Sequence, residues 1–158
     1  MKEIPLTQGK FALVDDEDFE WLNQWKWSYH KIGYAKRNIY LGGGRKAPKY
    51  QTIKMHRLIL GTPTDKDTDH INRDQLDNRR ENLRVCTRTQ NQYNRGTWGV
   101  SPFRGVSWFK ETEKWRAKIT KGGHSIHIGY FYSERDAARA YDLKATELFG
   151  EFAFLNKA

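Results

Sequence analysis

Residues 69–91, DHINRDQLDNRRENLRVCTRTQN, decide the fold of this chain, together with the shorter segment MHRLIL at residues 55–60. The longer stretch begins with the pair Asp69-His70, and Asn82 and Asn91 follow the histidine after twelve and twenty-one residues. Its first part is polar and rich in turn-forming residues, and Leu83 to Cys86 predicts a short strand. Thr87 is a good N-cap for a helix that runs through Asn91.

These residues have the chemistry that cleavage of a phosphodiester needs. Such a reaction requires a base that activates water and a cation that neutralises charge on the phosphate and the leaving oxygen. An imidazole titrates near neutral pH, so His70 can accept the proton of the water. Asp69 and the amide of Asn91 offer hard oxygens that suit Mg²⁺ or Mn²⁺. Asn82 carries a donor and an acceptor, so it can pin the loop and orient the imidazole.

An ordinary structural role for the same residues stays open on spacing alone. Asp-His pairs are frequent in turns, and Asn82 and Asn91 would also serve as loop and cap residues. Asp77 and Asn78 are expected to shape the turn before Glu81 rather than to bind a metal. His56 is expected to pack or to form a hydrogen bond rather than to act in catalysis.

The two quoted segments resemble the HNH homing-type endonucleases that are common in phage genomes. The resemblance covers about residues 1–94 and is specific from 55 to 91. It implies a nuclease fold in which a β-hairpin and a helix clasp one metal. It also implies that Asp69 and Asn91 are metal ligands, that His70 is the general base and that Asn82 is the middle motif residue. The third motif letter is Asn rather than His, which implies a weaker metal site.

The residues before this motif predict a small α and β region. Residues 12–27 have the pattern of a strand followed by a helix with Phe19, Leu22 and Trp25 or Lys26 at three-to-four spacing. Residues 33–41 alternate like a strand, and residues 50–60 predict a strand or the start of a short helix. The basic loop between them could touch phosphate, but a solvated hairpin tip is the favoured interpretation.

Residues 103–158 have a second pattern, with three short strands, turns at residues 111–114 and 121–124, and a helix from the cap Ser133 to Gly150. Strand alternation points Ala117 and Ile119 to the core and Arg116, Lys118 and Thr120 outward. The other expected core residues are Val106, Trp108, Trp115, Ile126 and Ile128. One face of the sheet is thereby left for the major groove of DNA.

The strings FRGVSW, KWRAKI, IGYF, AARAYD and FLN resemble the APETALA/ethylene-response-factor DNA-binding domain over about residues 102–156. The resemblance implies a sheet that enters the groove. It implies DNA contacts by Arg104, Ser107, Phe109, Lys118, Thr120, Ser125 and His127, to which the alternation adds Arg116. Several of these positions are Arg or Trp in the plant family, so the GC-rich target of that family does not carry over. A charged sheet without a DNA-binding role is the alternative.

The composition limits the classes of molecule that this protein is expected to bind. Lys and Arg number 28 against 19 Asp and Glu, which gives a net charge of +9 and favours a polyanion. No apolar run approaches 18 residues, so we expect no membrane contact. Cys86 is the single cysteine, which excludes a disulfide framework or zinc knuckle and leaves oxygen and imidazole as metal ligands. We expect a cytoplasmic monomer without a protein partner.

The combined prediction is an α+β protein with two modules. An HNH nuclease module of the ββα-metal type spans residues 1–94, with its motif core at 55–94. A linker at 95–102 leads to a three-stranded antiparallel sheet packed on one helix at 103–158, which binds DNA. The predicted function is a metal-dependent, homing-type endonuclease that nicks double-stranded DNA with one Mg²⁺ or Mn²⁺ per site. The alternatives are a non-catalytic DNA-binding regulator with a decayed nuclease module, and an RNA-binding protein.

Overall fold

The computed structural model describes residues 1–96 and 101–158. Its contacts divide into two compact units, residues 1–91 and residues 92–158. The predicted mixture of α and β structure is confirmed. The predicted linker at 95–102 falls partly on residues 97–100, which lie outside the described residues.

The first unit contains small antiparallel sheets joined by short helices. The strands are β1 (Lys2–Pro5), β2 (Phe11–Val14), β3 (Ser28–Tyr29), β4 (Ala35–Gly42), β5 (Lys49–Lys54), β6 (Asp67–His70) and β7 (Leu83–Cys86). The helices are α1 (Asp16–Asn23), α2 (Met55–Leu60) and α3 (Arg88–Tyr93), the last of which continues into the second unit. Strand β1 pairs with β2, β4 lies between β3 and β5, and β6 pairs with β7.

Apolar side chains from all of these sheets and from α1 and α2 form one core. Its buried members are Ile4, Leu6, Ala12, Val14, Leu22, Trp27, Ala35, Met55, Ile59 and Leu83. Helix α1 ends at Asn23, so the expectation that Trp25 lies on this helix is wrong. Trp27 turns back instead, and its indole N–H donates to the carbonyl of Leu22 at 2.9 Å. The same carbonyl accepts from the amide of Trp25 at 3.3 Å, so the indole adds a side-chain hydrogen bond at the end of the helix.

Strand β6 lies in a stretch that the sequence pattern assigns to polar turns. Its residues Thr68, Asp69 and His70 are nonetheless buried. In the register of the hairpin, Asp69 stands opposite Arg84 and His70 opposite Leu83. The paired strand satisfies the backbone of β6, which is why a strand with no apolar residue is stable here.

The predicted cap of α3 is confirmed. The Thr87 hydroxyl accepts a hydrogen bond from the amide of Gln90 at 3.2 Å, and the Gln90 side chain accepts one from the amide of Thr87 at 2.8 Å. This reciprocal pair is a capping box, which fixes the point at which the helix begins. The helix therefore contains Asn91, as expected.

The second unit is a three-stranded antiparallel sheet covered by one helix. Strand β9 (Lys114–Lys121) lies between β8 (Val106–Phe109) and β10 (His124–Phe131), and α4 (Glu134–Phe149) follows. The Ser133 hydroxyl caps α4 by accepting from the amide of Asp136, as predicted. In the described ranges no helix has the length and apolar character needed to cross a bilayer.

Small residues let α4 approach the sheet closely. Ala137 and Ala138 pack with Val106 and Ala117, and the other buried contacts are those of Ile119, Tyr141, Ala145 and Phe149. Gly105 has a φ of +75°, and a Cβ there would collide with the ring of Tyr141. Only glycine fits the turn before β8.

Trp108 departs from its expected position in the core, since 48% of its surface is exposed. Its ring stands edge-on to that of Trp115, with 5.3 Å between the centroids. Trp115 packs against the core beneath α4, so Trp108, on the edge strand β8, lies outside it.

Arg80 connects the loop after β6 to helix α1. Its Nε and Nη2 atoms each lie 2.7 Å from the carboxylate of Asp18, which is 1% exposed. Removing the cation leaves a buried charge with less compensation. We expect Arg80→Ala to lower the free energy of unfolding by about 2 to 3 kcal/mol, below the loss for a fully buried pair because the Arg80 side chain is half exposed.

Urea unfolding measures this loss when it is followed through the indole NMR signals of Trp21, Trp25 and Trp27, which all lie in the first unit. Lys2→Ala is the matched control, because it removes the exposed ion pair between Lys2 and Glu20. That variant is expected to lose less than about 1 kcal/mol. Equal losses in both variants would contradict the anchoring role of Arg80.

Candidate active site

The four predicted site residues lie on the hairpin of β6 and β7 and on the helix that follows it. Asp69 and His70 end β6, Asn82 immediately precedes β7, and Asn91 lies on α3. Asp69, His70 and Asn82 are each 6–7% exposed. Strand alternation sends Asp69 and His70 to opposite faces of β6. The histidine and the oxygen donors therefore form two groups that flank the end of this strand.

On the histidine side, His70 meets a residue that the sequence interpretation assigned only to turn shape. The Nε2 atom of His70 lies 3.3 Å from Oδ1 of Asn78, which is fully buried. The Nδ2 atom of Asn78 donates to the carbonyl of Leu76 at 3.0 Å, so its Oδ1 is the acceptor that faces the imidazole. Nε2 of His70 therefore carries the proton in the neutral ring, and Nδ1 carries the lone pair.

The electrostatic setting of His70 favours its neutral form. Burial lowers the pKa of His70 from its ordinary value, and this effect outweighs the hydrogen bond that the ring donates to Asn78 and the charges of Asp69, Asp74 and Asp77, which raise the pKa. The imidazole is therefore uncharged at neutral pH. A base must be in that state to accept a proton from water.

Asn82 holds the loop between the two strands. Its Oδ1 accepts from the amide of Asn72 at 2.9 Å, and its Nδ2 donates to the carbonyl of Asp77 at 2.8 Å. The sequence predicts that Asn82 pins the loop and orients the imidazole. In the structure Asn82 pins the loop, whereas Asn78 is the residue that contacts the imidazole.

The loop is also fastened to the body of the unit. The carbonyl of Leu76 accepts from the amide of Leu13, and the amide of Asn78 donates to the carbonyl of Leu13, both at 2.8 Å. Arg79 forms an ion pair with Asp77 and lowers the pKa of that carboxyl through the hydrogen bonds it donates. These contacts hold Asn78 at a fixed place beside His70.

The other face of β6 carries the oxygen donors. Asp67 and Asp69 are two residues apart on the strand and so share a face. The side-chain amide of Asn91 donates to Asp67 at 3.3 Å, and Arg84 donates to Oδ2 of Asp69 from Nε at 2.9 Å and from Nη2 at 2.7 Å. Asp67 was missed by the sequence analysis, because its spacing to Asp69 is informative only if this stretch is a strand.

This donor set fits a hard divalent cation. Carboxylate and amide oxygens are the ligands that Mg²⁺ and Mn²⁺ prefer. Within residues 1–96 and 101–158, no three His, Cys, Asp or Glu side chains are close enough to hold an ion by themselves. Burial and the charges of Asp69 and Asp67 raise the pKa of the nearby Cys86 to about 11, so its thiol does not supply a thiolate ligand at neutral pH. A bound ion would complete its shell with Asn91, water and phosphate oxygens.

His56 packs against the catalytic candidate from helix α2. Its ring stands edge-on to that of His70 at 5.0 Å and to that of Tyr34 at 5.8 Å. It is 7% exposed, and its buried Nδ1 has no hydrogen-bond partner among the residues that the structure describes. Burial first, and then electrostatic interaction with His70, Lys54 and Arg57, lowers the pKa of His56 to about 3. This ring is a neutral packing partner of His70.

In the second unit, seven of the eight predicted DNA contacts share the sheet face opposite α4. They are Ser107, Phe109, Arg116, Lys118, Thr120, Ser125 and His127. Arg104 lies before β8, and its guanidinium donates to the backbone carbonyls of Tyr93, at 2.6 Å, and of Arg95. The guanidinium of Arg104, which was predicted to contact DNA, thus binds the protein backbone instead.

A β-bulge adds a residue to this face that the sequence analysis missed. The register shifts between His127 and Gly129, so Tyr130 points to the same side as His127. Its ring lies 4.6 Å from that of His127 and 5.2 Å from that of Phe109, over which Arg116 sits at 5.0 Å. Gly129 within the strand was the feature of the sequence that could have predicted this bulge.

The low pKa of His56 predicts a pH dependence of stability. Between pH 6.5 and about 3, the unfolded chain binds a proton at His56 that the folded chain does not. Stability from this group is fully present above pH 6.5 and is lost as the pH falls through that window, by up to about 1.4 kcal/mol per pH unit. His56→Phe keeps a ring and removes this titration. Urea unfolding between pH 7 and pH 5 should show a shallower decline in the variant, whereas parallel declines would contradict the prediction.

The contact with Asn78 predicts the tautomer of His70. Nitrogen NMR of the imidazole should show the proton on Nε2 in the wild type and in Asn78→Asp, which keeps an acceptor. Asn78→Leu removes the acceptor and should shift the population towards the Nδ1–H form. An unchanged tautomer in a folded Asn78→Leu variant would mean that another group sets it.

Comparison with known proteins identifies the family of the region that carries this site. The family model described as HNH endonuclease matches residues 55–93. An uncharacterised HNH endonuclease of Acanthamoeba polyphaga mimivirus is 33% identical over 156 residues, which cover 95% of this chain and 76% of that protein. An AP2-like ethylene-responsive transcription factor of Arabidopsis thaliana is 26% identical over 144 residues, or 84% of this chain and 25% of that protein. An ethylene-responsive transcription factor of the same plant is 30% identical over 100 residues, which cover 62% of this chain and 23% of that protein. On the viral match and its coverage, this chain belongs to the HNH endonuclease family.

Proposed function

We propose that this protein is a metal-dependent endonuclease of the homing type that nicks one strand of duplex DNA. The observation that carries the proposal is the buried His70, whose Nε2 faces Asn78 and whose Nδ1 therefore holds the lone pair. It stands at the end of a strand whose other face carries Asp67 and Asp69. A base on one side and hard oxygen donors on the other are the two requirements of phosphodiester hydrolysis.

In the proposed reaction the phosphodiester lies at the end of β6, between the two groups. Nδ1 of His70 takes a proton from a water molecule whose oxygen attacks the phosphorus. The bond from phosphorus to the 3′ oxygen breaks, and a second water protonates that oxygen, which leaves a 5′-phosphate and a 3′-hydroxyl. Asp69, Asn91 and Asp67 would hold one Mg²⁺ or Mn²⁺, which when bound supplies the positive charge that stabilises the leaving oxygen.

The second unit is proposed to bind the duplex through the outward face of its sheet. A sheet of this size fits the major groove, and Lys118, Thr120, Ser125 and His127 are exposed on that face. The similarity to plant transcription factors supports this assignment. Each chain carries one HNH motif, so one binding event cuts one strand, and a double-strand break needs two chains.

A non-catalytic DNA-binding regulator is the second candidate, and one observation favours it. The guanidinium of Arg84 already neutralises Asp69, the carboxylate that a metal needs. A cation that binds there has to compete with this ion pair or share its oxygens. Metal-dependent cleavage separates the two candidates.

The test is incubation of purified protein with a pool of supercoiled plasmids that carry randomised inserts, in Mg²⁺, in Mn²⁺ or in EDTA. We expect metal-dependent conversion to nicked circles. His70→Ala is expected to lose about 10²- to 10⁴-fold in rate while its duplex affinity stays close to that of the wild type. His124→Ala, which removes an exposed histidine in the second unit, is the control and should cut normally.

Metal-dependent cleavage that survives in His70→Ala would reject His70 as the base. Duplex binding without cleavage in any metal would favour the regulator. Loss of DNA affinity in a folded His70→Ala variant would also count against a purely catalytic role.

A further inference from the structure

The positive charge of this protein is concentrated in one stretch of the chain. Residues 21–64 contain nine Lys and Arg and no Asp or Glu. The other 19 basic residues are equal in number to the 19 acidic residues, so this stretch accounts for the whole net charge of +9. Residues 101–158, by comparison, hold ten basic and seven acidic residues. The electrostatic attraction for a polyanion should therefore be strongest at residues 21–64.

Within this stretch, the hairpin of β4 and β5 presents a face of matched pairs. Lys36 stands opposite Lys54, Asn38 opposite Thr52, and Tyr40 opposite Tyr50. Residues directly opposite on paired strands share a face, as do residues two apart along one strand. The hairpin thus carries a row of lysines, then an amide with a hydroxyl, then two tyrosines.

Packing on the other side fixes which face points outward. The guanidinium of Arg37 lies 3.9 Å over the ring of Trp25, and Ile53 packs against the core. These two residues stand opposite each other in the register and occupy the reverse face. The face with Asn38 and Thr52 is accordingly exposed, and 56% of Tyr40 and 58% of Tyr50 are accessible.

The chemistry of this face matches a DNA groove. The Thr52 hydroxyl donates to Oδ1 of Asn38 at 3.0 Å, which holds the amide in place for contact with a base edge. The tyrosine rings pack at 5.5 Å and offer apolar surface to sugars and thymine methyl groups. The tip beyond them carries Arg45, Lys46 and Lys49, all exposed, for phosphates.

A row of aromatic rings connects the lysine end of this face to His70, the candidate base. The Nζ atom of Lys54 lies 5.0 Å above the ring of Tyr34. Tyr34 stands edge-on to His56, and His56 stands edge-on to His70. DNA on the hairpin would therefore run beside His70 within the same unit.

We propose that the hairpin of β4 and β5 is a second DNA-binding surface, which enters the major groove beside the cleaved phosphate and supplies most of the electrostatic affinity for DNA. A two-stranded ribbon fits that groove. The inference rests on the proposed function, because it takes duplex DNA as the substrate. It revises the expectation of a merely solvated tip on the basis of the charge distribution and the exposed face.

The experiment compares two triple variants that each remove three exposed cations. One is Arg45→Gln with Lys46→Gln and Lys49→Gln in the hairpin. The matched control is Lys110→Gln with Lys118→Gln and Lys121→Gln in the second unit. Fluorescence anisotropy measures binding to a random-sequence duplex at several salt concentrations, with EDTA present so that no cleavage occurs.

Each lost phosphate contact lowers the slope of log affinity against log salt by about 0.9. The hairpin variant should therefore lose about two to three units of slope and at least about tenfold in affinity at low salt. The control should lose about one unit, from Lys118. A hairpin variant that binds like the wild type, or a control that loses as much, overturns the inference while the proposed function stands.

Two further outcomes separate the inference from the function on which it rests. A wild-type protein that binds no duplex overturns both. Equal competition by structured RNA of the same phosphate count overturns the assignment of the surface to duplex DNA.

A separate variant, Asn38→Ala, tests contact with base edges. It removes no charge, so it leaves the electrostatic part of the affinity unchanged. This variant should keep the salt slope but lose about tenfold in its preference for a mapped nick site over random duplex. An unchanged preference would overturn the placement of this face in the groove.

Discussion

The loop between β6 and β7 is closed by the buried amide of Asn82, and the geometry around His70 depends on this constraint. Asn82 bonds to the backbone at both sides of the loop, at Asn72 and at Asp77. Two bonds to Leu13 and the ion pair from Arg80 to Asp18 then fix the loop to the body of the unit. A side chain in a polar loop is ordinarily mobile, but here hydrogen bonds along the loop place one amide oxygen against one imidazole. The middle residue of the motif thus acts through the backbone.

Charge is arranged in this protein so that each part of the site keeps the state it needs. The buried carboxylates are neutralised by arginines, as Arg79 does for Asp77 and Arg84 for Asp69. Burial lowers the pKa of His70, so the imidazole remains neutral where a charged one could not act as a base. Excess positive charge lies outside this loop, in residues 21–64, which include the exposed hairpin. In the proposed function, attraction for a polyanion and proton transfer would thereby be served by different residues of one unit.

The sequence was most informative where local rules act alone. The caps at Thr87 and Ser133 follow from side-chain hydrogen bonds within one turn, and both are present. Strand β6 escaped prediction because its buried residues are polar, so apolar alternation gives no signal. The contact of Asn78 with His70 depends on how the loop is folded, which a linear pattern does not contain. In the second unit, the bulge at His127 changes which later side chains face outward, and one inserted residue is enough to bring Tyr130 to that face.

The central claim is that His70 activates the attacking water, and a sulfur-substituted substrate tests it most directly. At a mapped nick site, the 3′ oxygen of the cleaved bond is replaced by sulfur, which leaves readily without neutralisation or protonation. If His70 is the base, His70→Ala should be slowed by about the same factor on the oxygen and sulfur substrates, about 10²- to 10⁴-fold. A variant that cleaves the sulfur substrate at the wild-type rate would show that His70 acts on the leaving group, and would contradict the account.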